Sequence, residues 1–87
     1  MAAYEGALTI SERAQGYMDD LGFTEADIRE TLGAAEETGE YLRNEDGSQI
    51  IAKLKIDETY IYAQCTKGDD GYAVDLAYAL KTWVEGW

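Results

Sequence analysis

The sequence predicts an α+β fold, an N-terminal helical hairpin packed on a curled antiparallel sheet of three to four strands. Up to about residue 36, apolar residues recur at helical spacing, whereas from Glu40 onward they alternate with polar residues as in strands. Turn signals rich in glycine and acidic residues divide the second part into four segments. The 87 residues predict a single domain, 1–87, that buries roughly 60–65% of its unfolded surface.

The first helix is predicted over residues 11–21. Residues 1–8 show no period and are interpreted as a loose lead-in. The pair Thr9 and Glu12 has the spacing of a capping box, and Gly22 stands where a left-handed residue ends a helix. One helical stripe follows, formed by Ile10, Ala14, Tyr17, Met18 and Leu21.

The second helix is predicted over residues 24–36. Thr24 is expected as its N-cap, and Asp27 can complete a capping box while it faces the positive end of the helix dipole. Gly33 weakens a helix by about 1 kcal/mol relative to alanine. The end of this helix is therefore left open between Leu32 and Glu37.

The second half of the chain predicts four strands, over 40–43, 49–56, 60–66 and 72–82. The last of them is ambiguous over residues 75–84. Strand-like alternation joins Tyr72, Val74, Leu76, Tyr78 and Leu80. A helical stripe joins Leu76, Leu80, Trp83, Val84 and Trp87. We assign this segment to a strand, which a resemblance described below favours.

The charge balance narrows the choice of partners. Seven basic against eighteen acidic residues give a formal net charge of −11, which disfavours both nucleic acid and anionic membrane surfaces. Lys53 and Lys55 are the one close basic pair and share a strand face. The acidic surface has two interpretations, solubility or a docking face for a basic partner.

The sequence predicts neither catalysis nor a bound cofactor or metal. Without histidine, the chain has no Ser-His or Cys-His nucleophile pair and no imidazole ligand. The acidic turns around Gly47 and Gly71 lack the charged ligands of a calcium loop at the required places. The lone Cys65 is interpreted as a small buried hydrophobic residue and suits a reducing, cytoplasmic location. No apolar run has the length of a membrane span.

Aromatic residues supply the remaining functional signal. Two helices cannot cover both faces of a four-stranded sheet, so some tyrosines should be exposed, and exposed Tyr and Trp are favoured at protein interfaces. The residues predicted to contact a protein partner are Tyr60, Tyr62, Tyr78, Trp83 and Trp87.

Two short segments of the sequence resemble motifs of small bacterial domains of the BrnT and RelE-like toxin type. They are Ser11–Ala14 with Met18, and Gly22–Ile28. That resemblance implies a helical hairpin followed by a curled antiparallel sheet. Those toxins are basic ribonucleases that cut with Arg, Lys or His. The histidine of their first helix is absent here, so no catalytic residue is carried over.

Three further segments are similar to motifs of short domains associated with glutamate-synthase-like flavin oxidoreductases of anaerobes. These segments are Ala35–Glu40, Asp70–Val74 and Ala77–Tyr78. Their last strand carries Tyr-Ser-His-Arg, of which Tyr78–Lys81 keeps the aromatic residue and one cation. We therefore expect a non-enzymatic accessory or protein-interaction domain, as part or partner of a larger redox enzyme. One alternative is a degenerate toxin-like domain without ribonuclease activity. Another is a domain that binds a small ligand between helices and sheet.

Overall fold

A computed structural model describes residues 3–80 and shows two helices packed on an open, five-stranded mixed sheet. The strand order is β1-β5-β4-β3-β2. The predicted α+β class is confirmed, but the expectation of a wholly antiparallel sheet of three to four strands is wrong. The elements in chain order are β1 (Ala7–Ile10), α1 (Glu12–Leu21), α2 (Glu25–Thr38), β2 (Tyr41–Arg43), β3 (Gln49–Ile56), β4 (Thr59–Lys67) and β5 (Gly71–Leu80).

The additional strand is β1, within the segment expected to be a lead-in. It pairs in parallel with the start of β5, with Ala7 opposite Gly71 and Ile10 opposite Val74. Four residues are too short to display a period, and their partner lies more than sixty positions along the chain. Thr9 therefore belongs to a strand, and its predicted role as helix cap is wrong.

Ser11 caps α1 instead. Its backbone is extended, and its hydroxyl accepts a hydrogen bond from the N–H of Ala14 at 3.0 Å. The helix ends at Gly22, which has the predicted left-handed backbone (φ 79°). In α2, the Asp27 carboxylate accepts the backbone N–H of Thr24 at 3.0 Å, as predicted.

Helix α2 continues past the predicted residue 36 to Thr38, where left-handed Gly39 (φ 73°) ends it. Gly33 does not interrupt it. That glycine is buried, and the neighbouring Leu32 and Ala35 belong to the hydrophobic core. Tertiary packing therefore outweighs the low helix propensity of glycine here. Neither described helix has the length and apolar character needed to cross a membrane.

The core lies between the helices and one face of the sheet. Helix α1 packs mainly on β5, and α2 packs on β3 and β4. Large side chains of the helices meet mostly small side chains of the sheet, and each fully buried Ile or Leu contributes roughly 1.5–3 kcal/mol. The core includes Met18, Ile28 and Leu32 from the helices and Ala52, Ile61, Ala63, Cys65, Val74, Ala77 and Ala79 from the strands.

A β-bulge divides β5 into two halves. Val74 pairs with Cys65, but the next paired residue is Leu76, opposite Gln64, so Asp75 is the extra residue. Its carbonyl oxygen accepts a hydrogen bond from the Ser11 hydroxyl at 3.0 Å, while the Ser11 N–H donates to the Val74 carbonyl at 3.0 Å. The end of β1, the start of α1 and the bulge are thus joined at one residue.

The bulge reverses the side-chain alternation within β5. Val74 faces the helices, but beyond the bulge Ala77 and Ala79 do so. Leu76 and Tyr78 consequently point away from the core, although unbroken alternation from Tyr72 would have turned them inward. The ambiguous segment is a strand as far as Leu80, and residues 81–82 of the predicted strand lie outside the described residues.

Replacement of Ser11 by Ala should lower the free energy of unfolding by about 1–2 kcal/mol, since it removes the helix cap and the bond to the bulge. Urea denaturation measures the change. Thr9→Ala is the control, because Thr9 is exposed in β1 and does not cap the helix. A greater loss for Thr9→Ala would contradict the assignment of Ser11 as the cap.

Replacement of Gly71 by Ala should destabilise the pairing of β1 with β5. A Cβ atom on Gly71 would overlap the Ala7 carbonyl oxygen, and overpacking of this kind costs roughly 1–3 kcal/mol. Hydrogen exchange of the β1 amides should accelerate. The matched control is Gly16→Ala on α1, where the added methyl group meets no atom within 4 Å and should stabilise the helix by about 0.5–1 kcal/mol. Unchanged exchange in β1 would disprove the close approach.

Candidate functional site

The sheet face turned away from the helices is the candidate site, and we call it the outer face. On β3, Ile50 and Ala52 are buried toward the helices, whereas Ile51, Lys53 and Lys55 are exposed on the other side. Strand pairing extends this face across four strands. From the row of Ile51 to the β3–β4 turn, the outer face comprises Leu42, Ile51, Lys53, Lys55, Tyr60, Tyr62, Gln64, Leu76, Tyr78 and Leu80.

These residues form three rows that run across the strands. The first row is Leu42, Ile51, Gln64 and Leu76. The second is Lys53, Tyr62 and Tyr78, and the third is Lys55, Tyr60 and Leu80. Along one strand, same-face residues lie roughly 6.6–6.8 Å apart. The outer face therefore has one mainly apolar row beside two rows of lysine and tyrosine.

The apolar row is accessible at its β2 end. Leu42 is 70% exposed and Ile51 is 40% exposed, a considerable fraction for large aliphatic side chains. Both line an open groove of about 510 Å³ together with Lys53 and Tyr62, and Glu40 and Tyr41 complete its wall. This groove gives the outer face a concave, mixed apolar and polar surface.

Each lysine of the outer face lies over the tyrosine directly opposite. The Nζ atom of Lys55 lies 5.6 Å from the ring centre of Tyr60, and that of Lys53 lies 6.0 Å from the ring centre of Tyr62. A cation over an aromatic ring is attracted by the ring quadrupole, by about 0.5–1 kcal/mol at exposed sites. These contacts hold the ammonium groups against the sheet.

Tyr78 marks the boundary between the outer face and α1. Its ring meets that of Tyr17 edge-to-face, with centroids 5.7 Å apart. The two side chains remain 41% and 37% exposed, respectively.

The predicted contact residues divide into three groups. Tyr78 is exposed, Tyr60 and Tyr62 are half-buried, and all three lie on the outer face. Trp83 and Trp87 lie outside the described residues. Sequence reasoning missed Leu42 and Ile51. Ile51 could have been found, because it alternates with Ile50 on an amphipathic strand, but Leu42 lies in a three-residue strand that shows no period.

Cys65 lies on the opposite side of the sheet, within the core. Burial, followed by the nearby charge of Asp75, raises the pKa of the Cys65 thiol to about 12. The Asp75 carboxylate itself accepts a hydrogen bond from the Thr66 hydroxyl at 2.6 Å. A thiol held protonated in this way is a poor nucleophile.

Tyr72 and Glu36 connect the sheet to α2. The Tyr72 hydroxyl donates to the Glu36 carboxylate at 3.1 Å. Burial first, and then this hydrogen bond, raise the pKa of Tyr72 to about 12. The neighbouring carboxylates of Asp19 and Asp20, and those of Asp69 and Asp70, are exposed. Within residues 3–80, no three acidic or cysteine side chains are grouped as ligands for a metal ion.

Comparison of the chain with protein-family models, curated proteins and solved structures gives no match. The geometry of the outer face is therefore the basis on which we assign a function.

Cys65 should resist alkylation in the native state. At pH 8, a rise in pKa from 9.0 to about 12 lowers the thiolate fraction roughly a thousandfold. Iodoacetamide labelling followed by mass spectrometry should be slow in buffer and fast in urea. Because the folded state favours the protonated thiol, its contribution to stability is present below pH 9 and disappears as the pH rises to about 12. Equal labelling rates in the two conditions would contradict this burial.

Proposed function

We propose that this chain is a non-enzymatic protein-interaction domain that binds its partner through the outer face. The observation that carries the proposal is the exposure of Leu42 and Ile51 beside the tyrosines of β4 and β5. Interfaces characteristically place aliphatic and aromatic side chains at their centre and polar groups at the rim. On the outer face, the lysine–tyrosine rows adjoin the apolar row along one side, so aliphatic, aromatic and charged side chains are all available to a partner.

The shape of the outer face also favours a macromolecular partner. Its groove is open and lies across β2, β3 and β4, so a ligand there keeps much of its surface in water. Drug-sized ligands usually bind in pockets that enclose most of their surface. An extended protein segment can instead follow the three rows of side chains from strand to strand.

The small-ligand alternative has less support. It requires a pocket between the helices and the sheet, where a cleft of about 180 Å³ lies between the α1–α2 turn and the β3–β4 turn. Ligand pockets typically measure roughly 300–1,000 Å³. The toxin-like alternative and the association with a redox enzyme rest on the sequence resemblances, and no contact among the described residues favours either.

Affinity capture with matched baits tests the proposal. The double variant Leu42→Ser/Ile51→Ser should reduce recovery of any specific partner roughly tenfold or more, since it removes the apolar centre of the outer face. Recovery is measured by quantitative mass spectrometry against the unaltered chain. Both residues are exposed, so circular dichroism should show an intact fold.

The control bait is Arg13→Ser/Glu30→Ser, which alters two exposed helix residues and leaves the net charge unchanged. It should recover the partner at the same level as the unaltered chain. An equal loss of recovery with both variants, or no loss with either variant, would rule out the outer face as the binding surface.

A further inference from the structure

We propose that the partner of the outer face is an acidic polypeptide segment, whose apolar side chains fill the Leu42–Ile51 groove and whose carboxylates meet Lys53 and Lys55. This inference rests on the proposed interaction function and specifies the chemistry of the partner. It is carried by the unequal distribution of charge between the sheet and the rest of the molecule.

The strands are cationic in a strongly acidic chain. They hold four of the seven basic residues, Arg43, Lys53, Lys55 and Lys67, but Asp75 alone of the eighteen acidic residues. The other carboxylates lie on the helices, in the connecting segments and toward the chain ends. Arg43 and Lys67 pair with Ile50 and Tyr72, whose side chains face the helices. The basic residues of the outer face are therefore Lys53 and Lys55, and the one carboxylate that lines the groove beside them is that of Glu40.

The lysines of the outer face are available to an anionic partner. In the described part of the chain, the one ion pair is Arg29–Glu25, on α2. Lys53 and Lys55 lie over tyrosine rings instead, and their side chains are exposed. Asp75 is engaged with Thr66 at the bulge. A carboxylate that approaches the second or third row thus meets an ammonium group whose position is already restricted.

The apolar row adds a second requirement to the partner. Leu42 and Ile51 lie in the row next to Lys53, and all three line the same groove. A segment that carries both carboxylates and aliphatic side chains satisfies the two rows together. A segment with only one kind of side chain leaves one of the rows uncomplemented.

Single-stranded nucleic acid, the other common anion on a sheet face, fits less well. It binds by stacking bases on aromatic rings and by neutralising many phosphates. Here the rings of Tyr60 and Tyr62 each have a lysine ammonium over them. Two lysines neutralise few phosphates, and the whole chain repels a polyanion. These contacts favour carboxylates on a polypeptide.

A nuclear magnetic resonance titration with synthetic probes tests the inference. The probes are a decapeptide that alternates Glu and Leu, a Lys–Leu decapeptide, a Glu–Ser decapeptide and a single-stranded oligothymidine. We expect the Glu–Leu peptide to shift the amide resonances of β2, β3 and β4, and the Lys–Leu and Glu–Ser peptides to bind more weakly. Binding should weaken as salt is added, because the carboxylate–lysine contacts are exposed.

Two charge reversals of equal size separate local contact from overall charge. Lys53→Glu should weaken binding of the Glu–Leu peptide roughly threefold to tenfold. Arg13→Glu changes the net charge by the same amount at an exposed position on α1 and should leave the affinity nearly unchanged. Equal losses from the two variants would overturn the inference.

Other outcomes would also overturn it. These are tighter binding of the Lys–Leu peptide or the oligothymidine, the absence of shifts with the Glu–Leu peptide, and shifts that appear on raising the protein concentration alone. The last would indicate a second copy of the chain as the occupant. Capture that depends on Leu42 and Ile51 without binding of the Glu–Leu peptide would reject this inference alone, whereas failure of both experiments would also reject the proposed function.

Discussion

Much of the architecture depends on three of the hydrogen bonds that Ser11 makes. Its N–H and its hydroxyl donate to the carbonyl groups of Val74 and Asp75, and the hydroxyl also accepts the N–H of Ala14. One residue thus ends the parallel strand, begins the first helix and satisfies the carbonyl that the bulge removes from the strand ladder. A buried or half-buried carbonyl without such a partner would cost roughly 1–3 kcal/mol.

The bulge in turn determines the composition of both faces of the sheet. Beyond Asp75, Ala77 and Ala79 point to the helices, and their small size allows α1 to approach β5 closely. Leu76 and Tyr78 point outward as a consequence. A one-residue irregularity therefore determines which residues of β5 belong to the candidate site. This agrees with the frequent occurrence of bulges next to functional surfaces.

Much of the fold follows from local sequence, and the main errors concern pairing between distant segments. The strong period-two pattern predicts β3 with its observed bounds, and Gly22 ends α1 as expected. By contrast, β1 has four residues and depends on pairing with a distant partner, and Thr9 gave a misleading capping signal. The bulge was also missed, because strict alternation from Tyr72 to Leu80 is an equally regular pattern that placed all these side chains on one face.

The candidate site was accessible to sequence reasoning only in part. Because two helices cannot cover both faces of the sheet, the sequence predicts that some tyrosines are exposed. Tyr78 is one exposed tyrosine. The net charge of −11 was less informative, because it is compatible with solubility or with an acidic docking face and does not show that the strands hold four basic residues and one carboxylate. Interactions between exposed charges are screened beyond about 8 Å at physiological ionic strength. A partner in contact with Lys53 and Lys55 therefore responds mainly to those residues, and the acidic helices on the other side of the core act chiefly on its long-range approach.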